Sequence, residues 1–180
     1  VYVRGYGVPG GTREDQPVPA RGPAALPIRC GFVGSLLPHK GAHVAVAAFR
    51  GLEPTRATLE LWGDPRSDPE YSAELSRLAG PGVTFRDVFP ETEKQRLLSD
   101  LDLLIVPSLG LKSFSLVAYE AAALGTPVLM SARGAVPDLL AGALAPCGAT
   151  FDPDRPQELR ALLDSVIADP TLLDRCRAER

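Results

Sequence analysis

From Ile28 onward, short apolar runs alternate with segments whose apolar residues recur at helical spacing. Ile28–Val33, Thr58–Trp62, Val83–Phe85, Leu101–Val106 and Pro127–Met130 read as strands, with a further short strand near Thr150. Between them, Ala42–Arg50 has helical spacing through Val44, Val46, Ala47 and Phe49, and Pro69–Ala79 reads as a polar helix. Glu91–Ser99 predicts a helix whose acidic first turn suits the helix dipole. Phe114–Leu124 predicts a helix stopped by Gly125, followed by a short helix near Pro137–Leu140 and helices over Pro156–Ala168 and Thr171–Arg177. Strands this apolar have to be buried on both faces, and their alternation with helices implies a parallel sheet covered on both sides. The expected fold class is therefore α/β, a Rossmann-like doubly wound parallel sheet.

Residues 1–27 break the pattern. Val1-Tyr2-Val3 reads as a short strand, and the Gly- and Pro-rich stretch from Pro9 to Pro27 reads as a linker, so the expected domain runs from 28 to 180. A chain of 180 residues holds one hydrophobic core of ordinary size, and 45% apolar with 23% charged residues is the composition of a globular protein. The net charge of −3 argues against nucleic acid or an anionic membrane as the main partner, so any anion has to be bound locally by a few placed groups. Cys30, Cys147 and Cys176 are far apart and show no metal-ligand spacing, which reads as reduced thiols of a cytoplasmic protein. No apolar run reaches membrane-spanning length, and the N-terminus has no signal-peptide pattern.

Four strand ends carry candidate chemistry. In Gly31-Phe32-Val33-Gly34-Ser35-Leu36-Leu37-Pro38-His39-Lys40-Gly41 a strand ends at Gly34 and Lys40 stands at the start of the next helix. A small residue lets a ligand approach the backbone, while a helix N-terminus and a lysine favour anions. The order matches neither GxxxxGK[ST] nor GxGxxG, and taken alone it fits a tight turn with a solvated lysine better than a ligand site. His39 and His43 read as loop and helix-surface residues without partners. Leu61-Trp62-Gly63-Asp64 serves equally as a ligand approach or a simple turn.

After Leu101–Val106, Pro107-Ser108 leaves the sheet, and Ser113 is the expected N-cap of the next helix. The amides of Ser115, Leu116 and Val117 then become first-turn donors able to hold a phosphate. Glu120 falls about two turns in, among Ala118, Ala121, Ala122 and Leu124, and a carboxylate in so apolar a setting requires partners. It can accept two hydroxyl protons at once, as a ribose diol demands. Ser131-Ala132-Arg133-Gly134-Ala135-Val136-Pro137-Asp138 reads as a loop after a strand.

Taken in order, these pieces resemble the C-terminal half of a GT-B glycosyltransferase of the retaining family four group. The resemblance runs from about Ile28 to the C-terminus. It rests on Phe32-Val33-Gly34-Ser35 with His39-Lys40-Gly41, Leu61-Trp62-Gly63-Asp64, Asp102 to Ser108, Ser113 to Ala121, Gly125-Thr126-Pro127-Val128 and Phe151-Asp152-Pro153. It implies a domain that binds a UDP-, GDP- or ADP-sugar, needs no metal or other cofactor, and works with an N-terminal acceptor-binding Rossmann domain of the same full-length protein. It further implies a binding site of Gly34, Ser35, Lys40, Gly63, Asp64, Val88, Phe89, Ser115, Leu116, Val117 and Glu120. In that site Lys40 meets the diphosphate, Glu120 the ribose, the Ser115–Val117 amides the distal phosphate, and the Val88-Phe89 loop the base. Transfer would follow a front-side, ion-pair-like route without a side-chain nucleophile.

Two positions depart from the family pattern. Its E-x7-E signature stands here as Lys112-x7-Glu120, and Ser35 occupies a place where many members carry a phosphate-binding Arg. Lys40, Glu120 and Lys112 are the expected catalytic-site residues. Lys112 leaves three other readings beside an active transferase: a non-catalytic GT-B subunit, a GT-B sugar-nucleotide epimerase, and a site that pairs with an anionic donor sugar.

Overall fold

The structure, a computed structural model, describes residues 23–110, 115–134 and 148–178. The segments that carry Lys112, Ser113, the helix expected near Pro137–Leu140 and most of the expected linker lie outside the described residues. Six parallel strands form one sheet: β1 (Ile28–Val33), β2 (Ala57–Trp62), β3 (Val83–Arg86), β4 (Leu103–Val106), β5 (Val128–Ser131) and β6 (Gly148–Phe151). Their order across the sheet is β3-β2-β1-β4-β5-β6, so the direction of winding reverses between β1 and β4. In an open sheet of this kind, the crevice beyond the carboxyl ends of those two strands is where ligands bind.

Each strand shows why it sits where it does. Ala57, Leu59 and Leu61 of β2 are buried while Thr58, Glu60 and Trp62 are partly exposed, the alternation of a strand near the edge. All four residues of β4 and all four of β5 are buried, as central strands covered on both faces require. The ladder of β4 begins at Leu103, two residues later than the apolar run suggests. Leu101 packs instead beneath Gly31, where an added Cβ would stand 2.3 Å from Leu101 Cδ1. Asp102 next to it accepts the Arg29 amide at 2.8 Å.

Helices α1 (Ala42–Ala48), α2 (Pro69–Leu78), α5 (Pro156–Ala168) and α6 (Thr171–Ala178) cover one face around Leu59, Leu61, Tyr71, Leu75, Leu159 and Leu163. Helices α3 (Lys94–Asp100) and α4 (Leu116–Ala123) cover the other with Leu98, Ala118 and Ala121 against Leu104, Val128 and Met130. Each fully buried leucine contributes about 1.5–3 kcal/mol. Helix α2 is capped by Asp68, whose Oδ1 accepts the Tyr71 amide at 3.0 Å, with Pro69 at the first position. The helix expected from Phe114 under a Ser113 cap begins instead at Leu116. Ser115 is its N-cap residue, buried in an extended conformation (φ −135°, ψ 100°) and making no side-chain cap bond. The helix expected over Glu91–Ser99 opens with a 3₁₀ turn, Glu91–Glu93, before α3 begins at Lys94.

The loops after β1 and β4 are packed directly on one another. Gly41 has φ +75°, and a Cβ there would stand 1.9 Å from the Pro107 carbonyl oxygen. The Leu109 amide donates to the His39 carbonyl at 3.0 Å, closing the same contact. Gly41→Ala would combine a left-handed backbone with a backbone clash. It is expected to cost about 2 kcal/mol or more, a fall of roughly 4–8 °C in Tm for a domain of this size. A melting curve unchanged within a degree would refute that account.

His43 is not a partnerless surface residue. Its backbone N–H donates to Tyr71 Oη at 3.1 Å, and its Nδ1 lies 2.7 Å from the same oxygen, joining α1 to α2. Tyr71 Oη can give its proton to an unprotonated Nδ1 or accept a second bond from Nδ1–H, according to the imidazole tautomer. Burial lowers the imidazole pKa below its ordinary 6.5, against an opposing pull from Glu74. The folded state therefore prefers neutral His43. Its contribution to stability is fully present above about pH 6.5 and is lost as pH falls through the lowered folded value. His43→Asn keeps an acceptor near the tyrosine without a titrating group. Its urea midpoint is expected to fall less than wild type's between pH 7.5 and pH 5.5, and equal slopes would exclude the mechanism.

Candidate functional site

A cleft of about 380 Å³ opens beyond the carboxyl ends of β1 and β2 and reaches the N-terminus of α4. Gly34 and Ser35 after β1, and Gly63 and Asp64 after β2, line it together. Two contacts draw these loops close. The Gly34 amide donates to the Trp62 carbonyl at 3.0 Å, and a Cβ on Gly63 would stand 2.2 Å from the Gly34 oxygen. Gly63 is thus required by packing, while a Cβ on Gly34 would meet only Phe32 ring atoms at 3.7 Å and 3.9 Å. The carboxylate of Asp64 is engaged by its neighbour: Arg66 donates from its backbone at 2.9 Å, from Nε at 2.8 Å and from a terminal nitrogen at 3.1 Å. The Arg66 hydrogen bonds hold the Asp64 pKa below the usual carboxylate value.

Opposite, Leu116 and Val117 of α4 line the cleft. The amides of Ala118 and Tyr119 both donate to the Ser115 carbonyl, at 3.1 Å and 3.2 Å. The amides of Ser115, Leu116 and Val117 precede the first carbonyl that the helix offers, so by helix geometry they have no intrahelical acceptor. Val88 and Phe89, in the loop after β3, complete the wall. Phe89 meets Trp62 edge to face, with ring centroids 5.7 Å apart, and the Arg86 guanidinium sits 5.8 Å from the Trp62 ring while pairing with Glu60 at 2.7 Å. The indole nitrogen of Trp62 is buried and has no hydrogen-bond partner among the described residues.

Of the residues expected from sequence, eight line this one cleft: Gly34, Ser35, Gly63, Asp64, Val88, Phe89, Leu116 and Val117. Ser115 is buried at the base of the helix, directly before Leu116. Lys40 is not among the lining residues; it ends the 3₁₀ turn Pro38–Lys40, immediately before Gly41. Lys112 lies outside the described residues. Glu120 is not among the lining residues either; it stands one turn beyond Leu116 and Val117 on α4, and the structure supplies the partner its apolar setting demands. Lys94 Nζ donates to Glu120 Oε1 at 2.9 Å and lies 2.8 Å from Oε2. Only the first contact has hydrogen-bond geometry; Oε2 is buried and faces the same ammonium group as an ion-pair contact.

Lys94 itself lines the cleft, beside Glu91, to which it also donates at 3.1 Å. Burial alone would lower the pKa of its ammonium group, but the hydrogen bonds to Glu120 and Glu91 outweigh that and hold it above the ordinary lysine value. With side-chain exposures of 19% for Lys94 and 24% for Glu120, this pair is better shielded than a surface ion pair. Sequence reasoning passed over Lys94 and the aromatic contact of Trp62. One signal pointed to the lysine: it is the first residue of α3, where the helix dipole disfavours a cation, so a specific anionic partner was needed to keep it there.

Among the described residues no group of three His, Cys, Asp or Glu could hold a metal ion, and no helix is long and apolar enough to cross a membrane. The model of the family described as glycosyl transferases group 1 matches residues 26–179. The D-inositol 3-phosphate glycosyltransferase of Segniliparus rotundus is 30% identical over 149 residues, which span 79% of this chain and 32% of that protein. The glycogen synthase of Mycobacterium tuberculosis is 32% identical over 168 residues, 91% of this chain and 40% of that protein. The chain thus spans about a third to two fifths of these curated relatives. Among solved structures, Anabaena HepE in complex with UDP and glucose superposes with a TM-score of 0.71 at 25% identity, over 84% of this chain and 42% of that one. The C-terminal domain of the group 1 glycosyl transferase LpcC of Francisella tularensis superposes with a TM-score of 0.66 at 22% identity, over 81% of this chain and 78% of that domain. The chain belongs to the glycosyl transferases group 1 family, and its fold is that of the Rossmann-like C-terminal half of a GT-B protein.

Proposed function

We propose that the cleft holds a nucleoside diphosphate sugar, and that the chain is the donor-binding part of a retaining glycosyltransferase whose acceptor is held by an N-terminal domain of the same full-length protein. The observation that carries this is the convergence of Gly34-Ser35, Gly63-Asp64 and Leu116-Val117 on one cleft at the strand-order reversal, with Glu120 one turn along α4. The solved complex of HepE with UDP and glucose, at 25% identity, supports a sugar nucleotide as ligand. The base lies against Val88 and Phe89, the ribose diol gives its protons to Glu120, and the distal phosphate takes the amides of Ser115, Leu116 and Val117. Lys40, at the end of its turn beside the Pro107 loop, approaches the diphosphate when ligand is present.

The chemistry follows from where charge develops. As the bond from the anomeric carbon to the diphosphate oxygen breaks, its electron pair stays with the diphosphate. Lys40 and the positive end of α4 stabilise that growing charge. The acceptor oxygen then bonds to the same face of the sugar, and its proton passes to the departing phosphate oxygen. No side-chain nucleophile is needed. Localisation in the cytoplasm, where sugar nucleotides are made, fits this role.

Lys112 favours a second reading, in which the chain binds a donor without turning it over. It puts a cation where the family motif places a carboxylate. The two readings separate on one substitution: in the full-length protein, Lys112→Glu raises turnover if the site is an attenuated enzyme and leaves it unchanged if the subunit is non-catalytic.

Binding is tested by calorimetric titration with UDP, GDP and ADP. Trp62 is the chain's one tryptophan and lines the cleft, so its fluorescence gives an independent signal. Glu120→Ala is expected to weaken the preferred nucleotide about tenfold or more, the loss of a charge-assisted hydrogen bond or two. If none of the three binds at millimolar concentration and Glu120→Ala behaves identically, the donor-site reading falls.

A further inference from the structure

We infer that Lys94 acts with Glu120 as the ribose-reading pair of this site, both setting the carboxylate and contacting the sugar hydroxyls itself. This rests on the nucleotide-binding reading above and adds to it a residue outside the motifs that suggested that reading.

The argument is one of donors and acceptors. An ammonium group has three N–H donors. Glu120 Oε1 takes one at 2.9 Å and Glu91 Oε1 takes another at 3.1 Å, which leaves the third for the cleft that Lys94 lines. On the acceptor side, Glu120 Oε2 lies 2.8 Å from the same nitrogen as an ion-pair contact. The pair therefore has one donor to spare on the cleft side, while both oxygens of the carboxylate are held against the same ammonium group. A diol hydroxyl can accept from that third N–H, while Lys94 holds the carboxylate that receives the proton of its neighbour.

A purely structural ion pair explains the arrangement less well. A pair kept only for stability has no need to present its ammonium group to a cleft, yet Lys94 lines this one. Lys94 also begins α3, where the helix dipole opposes it. Glu91, whose side chain is 80% exposed, is a second and more solvent-screened partner. What holds the lysine in this place is chiefly the carboxylate of Glu120, the less exposed of its two partners.

The test titrates wild-type protein with UDP, GDP and ADP, each beside its 2′,3′-dideoxy form. Wild type is expected to bind the hydroxylated form of its preferred nucleotide at least tenfold more tightly. Lys94→Met is expected to reduce that ratio below threefold while leaving the affinity for the dideoxy form within about twofold. Lys94→Arg keeps a cation against Glu120 and should recover part of the ratio, which a loss of packing alone would not predict. Thermal melts verify that each variant is folded, and Lys94→Gln replaces the methionine variant if that one is not. The inference is overturned if a folded Lys94 variant keeps the wild-type ratio, if it weakens both forms equally, or if wild type does not distinguish them. If wild type binds no nucleotide at all, the donor-site reading itself fails and this inference fails with it.

Discussion

The contact between Gly41 and the Pro107 carbonyl is the constraint on which the site depends. It joins the loop that leaves β1 to the loop that leaves β4, across the place where the strand order turns. A side chain at position 41 would push these loops apart, because its Cβ would stand 1.9 Å from a backbone oxygen. With no Cβ, the left-handed backbone of Gly41 lets Leu109 reach the His39 carbonyl and starts α1 immediately afterwards. The β1 loop is then fixed against the segment that leads to α4. The two halves of a ligand site built from different parts of the chain thus acquire a common frame.

The second layer of helices brings the charged groups together. Small residues on α4, Ala118 and Ala121, are fully buried and let the helix lie close on β4 and β5. Thr126, in the turn after α4, donates its hydroxyl to the Leu98 carbonyl at 2.8 Å and so ties α3 to the same corner. These two contacts set the register of α3 against α4. Lys94 and Glu120, 26 residues apart in sequence, meet as a consequence of that register. Their ion pair lies mostly out of solvent, in surroundings where Coulomb attraction is stronger than at an exposed surface. The aromatic wall of Trp62 and Phe89 is assembled in the same way, from the end of β2 and the loop after β3.

Much of the fold was legible in the chain. The runs of β1 and β2 match the observed strands to within a residue, because their inward positions, Ile28, Cys30 and Phe32 in β1 and Ala57, Leu59 and Leu61 in β2, are apolar at the strand period. The helix Pro156–Ala168 has the bounds its periodicity predicts. The errors fall where local signals compete with packing. Leu101 is apolar enough for a strand but is used to fill the space beneath Gly31, so the ladder starts at Leu103. Ser113 and Ser115 are both acceptable cap residues, and the start of α4 was decided by the extended, buried backbone of Ser115. His43 looked like a surface residue because its partner, Tyr71, is on the next helix, 28 residues away.

By itself, the sequence determined the parallel sheet, the glycines and small residues at the strand ends, and the one carboxylate set in an apolar helix. These depend on local spacing and on the burial that a residue type tolerates. Only the tertiary structure decided which of those pieces share a cleft, that Lys40 stands outside its lining, and that Lys94 answers Glu120. Pairings of that kind depend on the distance between side chains on separate elements. Packing between elements far apart in the chain sets that distance, and no periodicity along the chain encodes it.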